Sequence, residues 1–204
     1  MPKVRDALLL LAGLALAACT TSSGDPVAAI ADARIAAAYI PLKGGFLGDA
    51  SGAATVLAPG IAVTNAHNRN LLPSALIIGQ PKEGGYDLLY LRTERQAAPP
   101  SGTLRLGQRV IAYGQGADHE LRIAHGLVRQ MPTPDTDYFV FEGNAGPGFS
   151  GGPVIDETDG RLLGITFGYK PAQGGGQPLI YAYDMARVRA LFASLENRPP
   201  LGLN

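Results

Sequence analysis

Gly143-Asn144-Ala145-Gly146-Pro147-Gly148-Phe149-Ser150-Gly151-Gly152-Pro153-Val154 sets one serine among five glycines and then enters an apolar run. Glycine reaches backbone angles closed to other residues, so this stretch can fold into a tight loop free of side chains. Such a loop leaves a hydroxyl reachable and lets backbone N–H groups converge on one point, as stabilising an oxyanion requires. Ser150 is therefore a candidate nucleophile, with a plain glycine-rich turn as the other reading of the stretch.

Gly148 to Gly152 also spell the G-x-S-x-G of α/β-hydrolases, in which a helix follows the serine and the triad runs Ser, acid, His. Here no His follows Ser150, and Pro153 with a strand-like run does, which excludes that fold. With no His after it, the base must precede the serine. Gly60-Ile61-Ala62-Val63-Thr64-Asn65-Ala66-His67 reads as a strand running into a turn that ends in His. His119 sits in a polar loop and His125 inside an apparent strand, which leaves His67 as the general base. Tyr86-Asp87-Leu88-Leu89-Tyr90-Leu91-Arg92 places Asp87 at the head of an apolar strand. A carboxylate there can accept the imidazole N–H, fix its tautomer and stabilise the imidazolium.

These stretches together resemble the trypsin-like, chymotrypsin-fold serine peptidases of bacterial type. The match lies in Gly148 two before the serine, Gly151-Gly152 after it, Pro153-Val154 entering a strand, Thr64 and Ala66 leading into His67, and aliphatic residues after Asp87. It runs from about Gly52 to Leu195. The resemblance implies an all-β chain of two six-stranded antiparallel β-barrels with a C-terminal α-helix, and a His67, Asp87, Ser150 triad. It implies an oxyanion hole from the Gly148 and Ser150 amides. It makes Gly164 to Gly168 the strand that binds substrate backbone, with Thr166, Phe167 and Gly168 as contacts. Asn144, six residues before Ser150, is placed at the floor of the primary pocket; lacking charge, it implies a preference for uncharged side chains. Leu106 to Gly114 resembles the opening of the second barrel in the periplasmic heat-shock proteases. Two features depart from the family. Only 20 residues separate His67 from Asp87, read as a trimmed hairpin of Ala75 to Ile78 and Asp87 to Leu91 joined through Pro81 to Gly85. Phe149 replaces the Asp that pairs with a newly cut N-terminus in animal digestive enzymes, so the pocket is expected to form without such a cut.

Periodicity supports the same class. Ala53 to Leu57, Ile61 to Thr64, Ala75 to Ile78, Leu88 to Leu91, Arg109 to Tyr113, Leu121 to Arg129, Tyr138 to Phe141, Leu162 to Phe167 and Leu179 to Tyr183 are short apolar runs punctuated by Gly and Pro. Asp184 reads as the N-cap of one helix, with Met185, Val188, Leu191, Phe192 and Leu195 on one stripe. The stretch from Pro26 to Tyr39 fits either a short helix or an extended arm.

At the N-terminus, Lys3 and Arg5 precede an apolar stretch from Ala7 to Ala18, too short to span a bilayer comfortably. It ends in Leu16-Ala17-Ala18-Cys19, which resembles the lipobox of bacterial lipoproteins and makes Cys19 the lipidation site. The organisation expected is a signal peptide over 1–18, a tether and arm over 19–40, and a peptidase domain over 41–204 split near 96–106. The chain is then held at the periplasmic face of the cell envelope by a lipid anchor in the membrane. Cys19 is the only cysteine, so the mature domain has no internal disulfide. With formal net charge +0 and no Lys/Arg run, nothing points to nucleic acid. No metal-spaced cluster is evident, and Gly44-Gly45-Phe46-Leu47-Gly48 lacks the Lys-Ser/Thr of a phosphate loop, so no cofactor is expected. The partner is a protein or peptide substrate. Three readings stay open: an endopeptidase, a peptidase-fold binding or chaperone-like envelope protein with little hydrolysis, and acyl transfer to small esters.

Overall fold

Val, Ile, Tyr and Phe in short runs favour extended backbone, and Gly, Pro and Asp between them break the runs into strands. The structure is a computed structural model, and it describes residues 23–44, 50–81, 85–172 and 176–196. The leader and Cys19 lie outside these residues. The strands are β1 (Asp25–Pro26), β2 (Tyr39–Gly44), β3 (Ala50–Ala58), β4 (Ile61–Thr64), β5 (Ile77–Gly79), β6 (Leu89–Arg92), β7 (Arg109–Gln115), β8 (Leu121–Gln130), β9 (Tyr138–Gly143), β10 (Pro153–Asp156), β11 (Leu162–Lys170) and β12 (Leu179–Asp184). Two helices accompany them, α1 (Ala33–Ala38) and α2 (Met185–Glu196).

The first half is a five-stranded antiparallel sheet in the order β2-β3-β4-β6-β5. The second runs β8-β7-β10-β11-β12-β9 and closes through β8–β9, giving a six-stranded barrel, with β1 added on β8. This is the all-β, chymotrypsin-like architecture in two halves with a C-terminal helix that the sequence implies, except that the first half has five strands among the described residues where a second six-stranded barrel was expected. The hairpin before β6 is also present, though Ser74–Leu76 coil into a 3₁₀ turn and only Ile77–Gly79 pair with β6. Pro26 to Tyr39 resolves into both alternatives. Asp25–Pro26 is extended, while Asp32 caps α1 by accepting the Arg34 N–H at 2.8 Å.

One apolar cluster crosses between the halves, joining Ala53, Val63, Leu88 and Tyr90 to Tyr113, Ile155, Ile165, Met185 and Val188. The cleft floor is therefore a shared core, and the halves cannot slide without exposing it. α2 covers the seam. Asp184 Oδ1 accepts the N–H groups of Ala186 at 2.7 Å and Arg187 at 3.0 Å, a side-chain N-cap. The Tyr90 hydroxyl of the first half then donates to the Val188 carbonyl at 2.7 Å. Buried Gln115, on β7, reaches the other way: its amide donates to the Leu42 carbonyl at 3.0 Å and to that of Gly52.

Gln115 is thus a polar pin between β7 and the β2–β3 pair. Gln115→Met keeps the bulk and removes both donors, and is expected to lower unfolding free energy by about 1–3 kcal/mol. Urea unfolding followed by intrinsic tyrosine fluorescence checks it; unchanged stability overturns the pin.

Candidate active site

The loop after β9 depends on glycine where another backbone passes close by. Gly151 has φ +85°, and a Cβ there would run into the Ala53 carbonyl and the Thr64 hydroxyl. Gly148 has φ +89°, and its Cβ would run into the Gln115 carbonyl. The loop is then tied on every side. The Ser150 carbonyl accepts the Ala53 N–H at 2.8 Å and the Asn68 side-chain amide at 2.9 Å. The Gly151 carbonyl accepts the Thr55 hydroxyl at 2.9 Å, and the Gly148 carbonyl accepts the Gln115 N–H at 3.1 Å. The N–H groups of Gly148 and Ser150 donate to no backbone carbonyl among the described residues.

His67 lies in the 3₁₀ turn Ala66–Leu71 that follows β4, and Asp87 lies just before β6, the strand paired with β4. Register therefore brings them together across the 20 intervening residues. His67 Nδ1 sits 2.6 Å from Asp87 Oδ2, while the His67 backbone N–H donates to Asp87 Oδ1 at 3.0 Å. Burial pushes the Asp87 carboxyl up, but hydrogen bonds and charge from the His67 ring, with the N–H groups of His67 and Ala66, outweigh it and hold it below the usual carboxylate range. The backbone of Asp87 is fixed as well. Its carbonyl accepts the Asn65 side-chain amide at 2.9 Å, and its N–H donates to the Tyr183 hydroxyl at 3.2 Å.

His67 and Ser150 line one pocket of about 320 Å³ together with Ala145, Gly146, Pro147, Phe149, Thr166, Phe167, Gly168, Tyr169 and Ile180. The hydroxyl and the imidazole share it without a hydrogen bond between them; such contacts often tighten only when substrate binds. Of the substrate residues expected from sequence, Phe167 and Gly168 line the pocket at a register break in the β11–β12 ladder. Thr166 lines it too, but its backbone serves the serine loop: its N–H donates to the Gly152 carbonyl at 3.0 Å and its carbonyl accepts the Gly151 N–H at 2.8 Å.

Asn144 requires a correction. It is exposed and lines a different depression, with Asp25, Arg109, His125 and Glu157. The chain bends at Asn144, and the next residue, Ala145, is buried and takes its place in the pocket wall. The wall still carries no carboxylate, so its uncharged character survives with different residues. Asn65, Asn68 and Tyr183 were invisible as site residues in the sequence. The turn that aims Asn65 and Asn68 has no periodic signature, and Tyr183 reads only as a strand residue.

A second polar group backs the acid. Asp137, in the turn before β9, accepts the Tyr86 hydroxyl and the Arg187 guanidinium, and Arg187 stacks over the Tyr86 ring at 5.6 Å. Tyr86 meets Tyr183 edge-on at 5.8 Å, and Tyr183 stacks on Phe167 at 4.1 Å. The segment carrying Asp87 is thereby clamped to the second barrel and to the pocket wall. Among the described residues no group of His, Cys, Asp or Glu is placed to hold a metal ion.

A family profile described as a trypsin-like peptidase domain matches residues 45–165. No curated protein sequence matches the chain. Among solved structures, it is similar to an HtrA-type protease, AlgW, with a tripeptide (TM-score 0.67, 21% identity, covering 80% of this chain and 62% of that one). It is similar to the serine endoprotease from Yersinia pestis (TM-score 0.64, 18% identity, covering 79% and 64%). It is also similar to Rv3671c from M. tuberculosis H37Rv in an inactive form (TM-score 0.62, 18% identity, covering 88% and 98%). At such identities the likeness establishes the fold, and the chain spans less than two thirds of the length of the first two.

The Asp87 geometry has a pH signature. A carboxyl held below its ordinary value of 3.8 adds stability above that pH, and the gain disappears as pH falls through the lower folded value. Asp87→Asn is therefore expected to unfold with a shallower loss of stability on acidification from pH about 6 to about 3 than the parent. Parallel pH-dependent curves for the two proteins in urea melts overturn this.

Proposed function

The chain belongs to the family of trypsin-like peptidase domains, and on that premise we propose that it is a serine endopeptidase of the bacterial cell envelope, with His67, Asp87 and Ser150 as its triad. The observation that carries this reading is the His67–Asp87 pair at 2.6 Å opening on the same pocket as Ser150. The family membership supplies the reaction class, and the pair supplies the residues.

The chemistry follows from the placement. Ser150 Oγ attacks the scissile carbonyl carbon as its proton passes to His67 Nε2, while Asp87 keeps Nδ1–H aimed and stabilises the imidazolium. Negative charge develops on the carbonyl oxygen, and the N–H groups of Gly148 and Ser150 are its proposed donors. Each such donor lowers the barrier by about 3 to 4 kcal/mol in serine-peptidase chemistry. Collapse breaks the C–N bond and His67 hands its proton to the leaving amine. Water then attacks the acyl ester with His67 as base, and the carboxylate product leaves with the Ser150 hydroxyl restored.

The pocket favours uncharged side chains at the cleaved position, because Ala145, Gly146, Phe167 and Ile180 offer a buried cation no counter-ion. The basic leader, Lys3 and Arg5, with Leu16-Ala17-Ala18-Cys19, supports export and a lipid anchor on Cys19. Protein or peptide substrates are read from the AlgW structure holding a tripeptide, whose fold this chain shares.

Two measurements test this reading. A fluorophosphonate probe is expected to label the parent and to leave Ser150→Ala unlabelled; equal labelling of both overturns the nucleophile. A positional-scanning peptide library is expected to show uncharged residues at the cleaved position in the parent and in Asn144→Asp, with basic residues gaining at least about tenfold in Ala145→Asp. A basic preference in the parent, or one created by Asn144→Asp, overturns the pocket assignment.

A further inference from the structure

We infer that the N-terminal tether holds the catalytic pocket at the bilayer surface, so that the substrate class is the membrane-proximal stalk of anchored or membrane-spanning envelope proteins, cut at a distance that the tether sets. This rests on the proposed triad and on the proposed lipid anchor at Cys19.

The starting point is where the described chain first becomes part of the domain. β8 is longer than its partner β9, and β1 takes up the remaining edge, Asp25 pairing Ile123 and Pro26 pairing Arg122. The Val27 N–H extends the ladder by donating to the Leu121 carbonyl at 3.1 Å. Immediately upstream, Gly24 is buried with φ +75°, and a Cβ there would stand 2.6 Å from Phe149 Cζ and 2.9 Å from the Ile123 carbonyl. Ser23 packs on the serine loop itself, so close that a Cβ on Gly146 would meet its side chain. Phe149 and Gly146 both line the catalytic pocket. The polypeptide thus joins the folded domain at the pocket's own wall, beside the nucleophile.

Covalent reach does the rest. Cys19 lies four residues before Ser23, and a chain advances at most about 3.6 Å per residue, so the two Cα atoms are never more than about 14 Å apart, whatever path the chain takes. An acylated cysteine sits at the headgroup boundary. A domain of this length is about 40 Å across, so a tether of about 14 Å cannot swing the pocket to the far side. Tyr169, which lines the pocket and is 45% exposed, presents a ring with a polar tip, a side chain suited to that boundary.

A chain emerging from the same leaflet needs only a few extended residues to climb to the pocket. Sites close to the membrane are therefore presented at high effective concentration, and sites far along a stalk are not. The reaction at those sites is the hydrolysis already described.

The test uses the full acylated protein in proteoliposomes with single-span reporters, each carrying the sequence preferred in the peptide library, centred about 5 or about 30 residues from the membrane. The parent is expected to cut the near reporter at least about tenfold faster. Inserting about 20 Gly/Ser residues between Ser22 and Ser23 adds about 25 Å of root-mean-square reach and is expected to erase or reverse that ratio. Cleavage of a soluble peptide stays unchanged in the insertion variant. Equal rates on both reporters in the parent, or a ratio indifferent to the insertion, overturn the inference. Its premises fail separately: soluble-peptide cleavage that survives Ser150→Ala removes the triad, and absence of labelled acyl chain on Cys19, judged against Cys19→Ser, removes the anchor and the ruler with it.

Discussion

The carbonyl oxygen of Ser150 is the point on which the site depends. It is not the reacting atom, yet it accepts hydrogen bonds from Ala53 N–H and Asn68 Nδ2, both contributed by the other half of the molecule. Asn68 is itself aimed by Thr64, whose hydroxyl accepts from it at 3.0 Å and donates to the Ala53 carbonyl at 2.5 Å. A serine loop from one barrel is thus locked by a closed ring of hydrogen bonds to the strand and turn that carry His67. Because the ring is buried, opening any member strands a polar group away from water, which makes the arrangement close to all-or-none. Glycine at 151 follows from the same constraint, since any side chain there would occupy the space through which Thr64 and Ala53 reach the loop.

The acid is governed by a different balance. Asp87 loses solvation by standing behind His67 and recovers it through three donors, the ring and two backbone N–H groups. Holding that carboxylate charged requires the segment to stay in place, and the restraint comes from aromatic and ionic contacts with the second barrel, Tyr86 with Asp137 and Tyr183 with Phe167. Phe167 also forms the pocket wall. The pocket and Asp87 therefore share one stack of rings, and a displacement of the wall is transmitted to the His67–Asp87 pair through rigid side chains with few rotatable bonds.

Much of this was legible before any coordinates. The glycines around Ser150, the strand before His67 and the apolar run after Asp87 each report a local requirement, so short motifs suffice to find them. The helix from Asp184 was equally plain, because cap and stripe lie within twelve residues of each other. What escaped depends on register between distant segments. Asn144 looked like pocket floor by counting back from Ser150, but at the bend there Asn144 is exposed and Ala145 is buried, and spacing along the chain carries no sign of direction. Thr166 lines the pocket as expected, but that its backbone also bonds Gly151 and Gly152 is decided by how β11 meets the loop. Tyr183 and Gln115 sit in strands where their alternation marks them only as inward-facing, and nothing local says that one meets an acid and the other two carbonyls.

Phe149 shows how a departure from a family pattern can be read physically. An acidic residue in that place would need a positive partner before it could be buried, which makes loop order conditional on a charge arriving. The ring of Phe149 is 2% exposed, held between Gly24 and Gly114, with the loop's own Gly152 N–H bonded to its carbonyl at 2.9 Å. Burying such a ring contributes about 2 to 3 kcal/mol through apolar area alone, without a titratable group. The stabilising partner is the segment at Gly24, already on the chain and docked by β1. Order in the serine loop is therefore tied to how the N-terminal segment is seated, an apolar coupling insensitive to pH, in place of an ion pair that has to be made.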